Sequence, residues 1–157
     1  VERILGVGEY YISGNLSDII KIYGLASCIG LVLYCPSIKV LAMAHILLPN
    51  SDINPDLSKI SPAYFADTGV DFLVKSLLTN YPVTKNDIVA SMFGGAEART
   101  KTDLFNIGAR NAQTVKQKLE ENGIKLALSH IGGNYSRTIE VSVSTGKAKL
   151  YLQKFDV

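Results

Sequence analysis

The feature that most narrows the fold is a pair of apolar runs, Ala26 to Cys35 and Val40 to Pro49, each about ten residues long and separated only by a short step that begins Pro36-Ser37. A turn that short sends the chain straight back, so the two runs read as neighbouring antiparallel strands. Within the first run, Ile29-Gly30-Leu31-Val32-Leu33 is apolar on both faces instead of alternating. That is the pattern of a strand near the middle of a sheet, covered on both sides. Neither run approaches the roughly twenty residues of a membrane span.

Further strands are expected on either side. Ile4 to Ile12 reads as a first strand whose glycines mark a bulge or a close backbone approach, and Asp18 to Tyr23 as a second. Cys28 to Tyr34 and Lys39 to Leu48 form the central hairpin. From Pro49 to Ser61 the chain is polar, and a loop without structure of its own is expected, of a length typical of a lid or binding loop. Ser61-Pro62 reads as a helix start, and Ala66, Val70, Leu73, Val74, Leu77 and Leu78 fall on one helical face, predicting a helix over 62–80 that stops before Pro82. A strand over Asp87 to Phe93 runs into Gly94-Gly95-Ala96. A second helix is expected from an Asn106 N-cap to Gly123, with Ala112, Val115 and Leu119 inward. Three strands close the chain: Lys125 to Ile131, Thr138 to Val143 and Lys147 to Phe155. Gly132-Gly133-Asn134 forms a specialised loop and Ser144-Thr145-Gly146 a tight turn. About eight strands and two helices, with strands at both ends, predict an α+β fold. The form expected is two packed sheets or one strongly bent sheet, with helices outside, in one domain spanning residues 1–157.

Composition excludes several functions. With 47% hydrophobic and 19% charged residues the chain is of ordinary globular make-up. Its 16 basic and 14 acidic residues are interspersed, with no basic stripe for nucleic acid or an anionic membrane. Cys28 and Cys35 lie near opposite ends of one strand, roughly 23 Å apart at about 3.3 Å per residue, too far to bridge. A reducing, cytoplasmic setting is therefore expected. No signal-peptide pattern opens the chain, and Val1 in place of methionine fits a trimmed or processed start.

Cys28 sits where the small-residue turn Gly24-Leu25-Ala26-Ser27 feeds the central strand, and His45 follows seventeen positions later on the next. Across an antiparallel pair, the sulfur and the ring can meet. A thiol needs such a base to become a nucleophile at neutral pH. Backbone N–H groups in the turn could hold an oxyanion. The plainer readings are a buried structural cysteine and a core histidine satisfied by one backbone bond. His130, before Gly132-Gly133, reads as structural or exposed, and Cys35 as packing. Asp67 and Arg110 read as surface residues or loop ties. Two cysteines and two histidines without close pairs do not make a zinc site, and Gly94-Gly95 and Gly132-Gly133 lack the lysine and strand–helix context of a phosphate loop. No metal or cofactor is expected.

Several blocks, in order along nearly the whole chain, carry a resemblance. They are Gly6-Val7-Gly8-Glu9, Gly24-Leu25-Ala26-Ser27-Cys28, Ala42-Met43-Ala44-His45-Ile46-Leu47-Leu48-Pro49, Gly94-Gly95-Ala96, Asn106-Ile107-Gly108-Ala109-Arg110-Asn111, and Gly132-Gly133-Asn134 with Arg137. Together they resemble the bacterial chemoreceptor glutamine deamidase family, CheD. The resemblance implies a β-sandwich of mixed or antiparallel sheets flanked by helices, as in CNF-type toxin deamidases. It implies a protein-glutamine glutaminase that converts receptor glutamines to glutamate and releases ammonia. The nucleophile falls on Cys28 and the histidine on His45. The implied partners are the cytoplasmic helices of chemoreceptors as substrate and a CheC-type chemotaxis phosphatase.

One position departs from the family. Its threonine, six residues before the cysteine, is here Ile22, which cannot accept a hydrogen bond from the imidazole; reduced activity is implied. Tyr23, Ser27, a backbone carbonyl or a water are the available substitutes. Ala26 also stands where the family has glycine. Two other readings stand beside the deamidase: an adaptor of the same fold that binds a phosphatase or receptor, and a cysteine acyltransferase acting on small amides or esters.

Overall fold

The computed structural model describes residues 1–97 and 106–155. Among these, nine strands form two mixed sheets. In chain order the strands are β1 (Glu2–Ile4), β2 (Tyr10–Ser13), β3 (Ile19–Leu25), β4 (Ile29–Cys35), β5 (Val40–Ile46), β6 (Val89–Gly94), β7 (Lys125–Ile131), β8 (Tyr135–Ser142) and β9 (Ala148–Lys154). One sheet has the order β2-β5-β4-β6-β7 and the other β1-β3-β8-β9. Each is antiparallel apart from one parallel pair, β6 with β7 and β1 with β3. The helices are α1 (Pro55–Ile60), α2 (Ala66–Asn80) and α3 (Ile107–Glu121).

The two-faced apolarity of β4 has a direct cause. Ile29, Leu31, Leu33 and Cys35 lie in a core with Val70, Leu73, Val74 and Leu77 of α2 and Ala112, Val115 and Leu119 of α3. Val32 points the other way, into a core between the sheets with Ile20, Ile22, Leu25, Leu41, Met43, Phe93, Ile139 and Val141. The five-stranded sheet is thus the middle layer. Helices cover one face of it, and the four-stranded sheet covers the other. Cys35 is fully buried and serves packing, as expected.

Four expectations need correction. The single strand over residues 4–12 is two strands in different sheets, because the chain crosses between layers through Gly6-Val7-Gly8, where Gly8 has a φ of +78° and lies against Tyr64 and Ser61. The stretch after Pro49 is not bare loop: it holds a 3₁₀ turn over Ser51–Ile53 and the short helix α1. That helix is capped by the Asn54 side chain, which accepts from the Leu57 N–H at 3.1 Å. The next helix starts at Ala66 rather than Pro62, after a separate 3₁₀ turn over Pro62–Tyr64. Ser61 does not cap it; its hydroxyl donates to the Gly8 carbonyl at 3.1 Å, and the first N–H groups of α2 donate to Leu48 and Pro49. Finally, Asn106 precedes α3 in a left-handed conformation and makes no side-chain cap. No helix among the described residues is long and apolar enough to cross a membrane.

Candidate active site

The chain passes from the four-stranded sheet to the five-stranded one between Leu25 and Ile29, and Cys28 is the last residue before β4. Three consecutive carbonyls of this crossing are pinned by hydrogen bonds from the residues after β6 and from α3. Ala26 accepts from the Ala96 N–H at 2.8 Å, Ser27 from Nδ2 of Asn111 at 3.0 Å, and Cys28 from the Gly95 N–H at 2.9 Å. Such close approach sets the sequence at two points. Gly94 has a φ of +115°, and a Cβ there would collide with the Cys28 carbonyl. A Cβ at Gly108, at the start of α3, would collide with the Ala96 carbonyl. The glycines noted in the sequence therefore brace the turn that carries the thiol.

His45 lies directly opposite Gly30 in the β4–β5 ladder. Cys28 is two residues before Gly30 and packs against the core between the sheets, the face that His45 shares with Leu41 and Met43. Thiol and imidazole are therefore diagonal neighbours on one face, a relation that puts Cβ atoms about 7–8 Å apart or a little less. Gly30 places no side chain between them. Among the described residues no hydrogen bond joins the sulfur to the ring, so in this state the two groups are neighbours that are not hydrogen-bonded.

The imidazole is nonetheless oriented. His45 is 7% exposed, and its Nδ1 lies 3.2 Å from the Leu5 carbonyl oxygen. A carbonyl only accepts, so the neutral ring carries its proton on Nδ1, and the Nε2 lone pair is free. The backbone on either side is fixed too: the His45 N–H donates to Glu9 and its carbonyl accepts from Gly8. Ile22 is fully buried, and the support it cannot give the ring comes from the Leu5 carbonyl.

Both groups are neutral at rest. Burial pushes the Cys28 thiol up and outweighs its own backbone N–H, which pulls the other way. Burial pushes His45 down, against the opposing effects of the Leu5 carbonyl and the Glu9 carboxylate. The arrangement is a thiol beside an imidazole rather than a preformed ion pair, and charge separation awaits a substrate.

The remaining candidates fall into place around this turn. Arg137, 1% exposed on β8, donates to the carbonyls of Gly94 at 3.2 Å and Gly132 at 2.7 Å and to Nδ1 of His130 at 2.9 Å. It ties the β6 end to the crossing from β7 to β8, and His130 is its structural partner. The Asp67 carboxylate accepts from the Ser51 N–H and hydroxyl, tying the 3₁₀ turn to α2. Arg110 is exposed on α3. Of the expected groove walls, residues 50–61 are ordered as above, and Glu97 donates its N–H to the Gly133 carbonyl at 2.8 Å. The rest of that second wall, residues 98–105, lies outside the described residues. Beside Gly95 a groove of about 290 Å³ is lined by Glu97, Ala109, Ala112, Lys116, Ile131 and Gly132. Among the described residues no group of three or more His, Cys, Asp or Glu is placed to hold a metal ion.

Two parts of the site escaped the sequence reading. The Leu5 carbonyl has no sequence signature at all. Asn111 does have one: it lies four residues before Val115 on the buried stripe of α3, a polar residue on an apolar face.

Residues 47–151 match the model of the CheD family, described as CheD chemotactic sensory transduction. The chain is 38% identical over 146 residues to the probable chemoreceptor glutamine deamidase CheD of Syntrophotalea carbinolica, a match covering 92% of this chain and 90% of that protein. It is 37% identical over 147 residues to the chemoreceptor glutamine deamidase CheD of Thermotoga maritima, covering 94% and 89% respectively. A probable CheD of Pyrococcus abyssi is 38% identical over 148 residues, covering 93% and 88%.

Proposed function

The chain belongs to the CheD family, and from that premise we propose that it is a chemoreceptor glutamine deamidase, an amide hydrolase with Cys28 as nucleophile and His45 as general base and acid. The observation that carries the assignment of the two residues is the bond from Nδ1 of His45 to the Leu5 carbonyl. It leaves Nε2 as the basic nitrogen, on the face shared with Cys28. Nε2 takes the thiol proton as the sulfur attacks the side-chain amide carbon of a receptor glutamine. Backbone N–H groups of the Cys28 turn, three of whose carbonyls are held by Ala96, Asn111 and Gly95, stabilise the oxyanion. The C–N bond breaks, and ammonia leaves with the proton from His45. Water, deprotonated by His45, then cleaves the thioester to give glutamate and the free thiol.

Cys28→Ala abolishes ammonia release and the accompanying mass gain in purified receptor cytoplasmic fragments. Unchanged turnover in that variant overturns the mechanism. The substrate glutamine is presented on cytoplasmic receptor helices, and a CheC-type phosphatase is the expected second partner.

A second reading rests on a specific observation: Ile22 is buried where the family threonine is implied, and no hydrogen bond joins sulfur to ring. On this reading the chain is an adaptor that binds the phosphatase or receptor without turnover. Deamidation measured beside a pull-down with each partner separates the two: binding without mass gain favours the adaptor.

A further inference from the structure

We propose that Asn111 is a positioning residue that sets the distance between Cys28 and His45. The inference rests on the reading of those two side chains as nucleophile and base. Asn111 is fully buried on α3, in a stripe otherwise made of Gly108, Ala112, Val115 and Leu119. Its Nδ2 has two protons and both are used: one goes to the Ser27 carbonyl at 3.0 Å, the other to the Leu47 carbonyl at 2.8 Å.

Those two acceptors are what give the contact its meaning. Ser27 immediately precedes the nucleophile at the entrance to β4, and Leu47 follows the base by two residues at the exit of β5. The ladder between these strands ends at the pair Ile29 with Ile46. Beyond it, one side-chain amide joins the two strand ends and continues the pairing where the backbone stops. The amide is itself held in place, because Gly108 seats the start of α3 against Gly95 and Ala96, which pin the same turn.

The other half of the amide shows that packing is not its purpose. Oδ1 is buried and, among the described residues, has no hydrogen-bond partner, a cost that an apolar side chain of the same size avoids. What asparagine supplies here and leucine does not is the pair of donors.

The test uses alkylation of Cys28 by iodoacetamide, followed by mass spectrometry across pH in the intact protein, so it needs no receptor. His45→Ala sets the benchmark. Asn111→Leu, which keeps volume, is expected to slow alkylation at neutral pH by about tenfold and move the profile alkaline, as misplacement of a reacting pair by a fraction of an ångström does. In the His45→Ala background the same change is expected to cost less than about twofold, because there is no longer a spacing to disturb. With receptor as substrate, kcat falls while KM holds. A profile for Asn111→Leu that superimposes on the unmodified protein, or effects that simply multiply in the double variant, overturns the proposal. If Asn111→Leu and Asn111→Ala both fail to fold, the unsubstituted protein decides by NMR. The Asn111 side-chain amide signals must then shift when Cys28 is alkylated, and signals that stay put overturn the assignment. Coupling in the alkylation cycle without any receptor turnover supports Asn111 as the spacer while removing the deamidase reading.

Discussion

At the scale of the residue, the chemistry depends on which nitrogen of His45 carries the proton, and a backbone oxygen rather than a side chain decides it. Leu5 follows the end of β1, while its carbonyl reaches a histidine one residue from the end of β5, in the other sheet. Because that acceptor already occupies Nδ1, a hydroxyl restored at position 22 has little left to orient. Ile22 is also fully buried between the sheets, where a hydroxyl without a partner is costly. Ile22→Thr should therefore lower stability by about 1–3 kcal/mol and alter kcat by less than about threefold. Thermal melting and the receptor assay measure the two effects. A large gain in turnover would show that the Leu5 carbonyl does not do the work assigned to it.

Between elements, the contact that matters is that of α3 with the end of β6. Gly108 lies against the carbonyl of Ala96, whose N–H holds Ala26, and Gly95 holds Cys28. A methyl group at position 108 forces α3 away from this turn. Gly108→Ala gains intrinsic helix propensity of up to about 1 kcal/mol, yet the collision is with backbone that cannot rotate aside. The net result should be a loss of about 1–3 kcal/mol, together with slower chemistry at Cys28. Melting temperature and alkylation rate fall together if the turn is braced as described. A stabilised variant would mean that the helix, and not the turn, limits the packing.

For the whole molecule, the layered arrangement closes the interface between the sheets at both ends. Arg137 does so near the site, and at the other end the Tyr34 hydroxyl donates to the Val143 carbonyl at 2.7 Å. Sealing the interface buries His45, and that burial sets part of the pH dependence of stability. In the folded protein His45 titrates below the usual histidine value of about 6.5. Between that lower value and about 6.5, the unfolded chain binds more protons than the folded one. The contribution of His45 to stability is thus complete above about pH 6.5 and is lost as pH falls toward its folded value. Denaturant titrations at a series of pH values should show this acid slope, and it should shrink in His45→Asn. The thiol acts in the opposite direction: raised by burial, it takes stability away as pH climbs past the ordinary thiol range.

The central hairpin was legible because everything that fixes it is local. A two-faced apolar run and a short turn set strand identity and register, and register sets face, so the placement of Cys28 and His45 on one face follows from their spacing. The stripes of α2 and α3 were legible for the same reason, as was the α+β class. The two short strands hidden in residues 2–13 were not, since neither is long enough to show a period and only their partners β3 and β5 tell them apart. α1 was signalled by Asn54-Pro55, but the surrounding polarity masked it. What tertiary structure alone decided are the contacts that orient the site. The Leu5 carbonyl lies 40 positions from His45, and Asn111 lies 84 and 64 from Ser27 and Leu47. No periodicity links residues so far apart in the chain. They meet because packed layers bring them together, and their hydrogen bonds form only once water has been excluded between those layers.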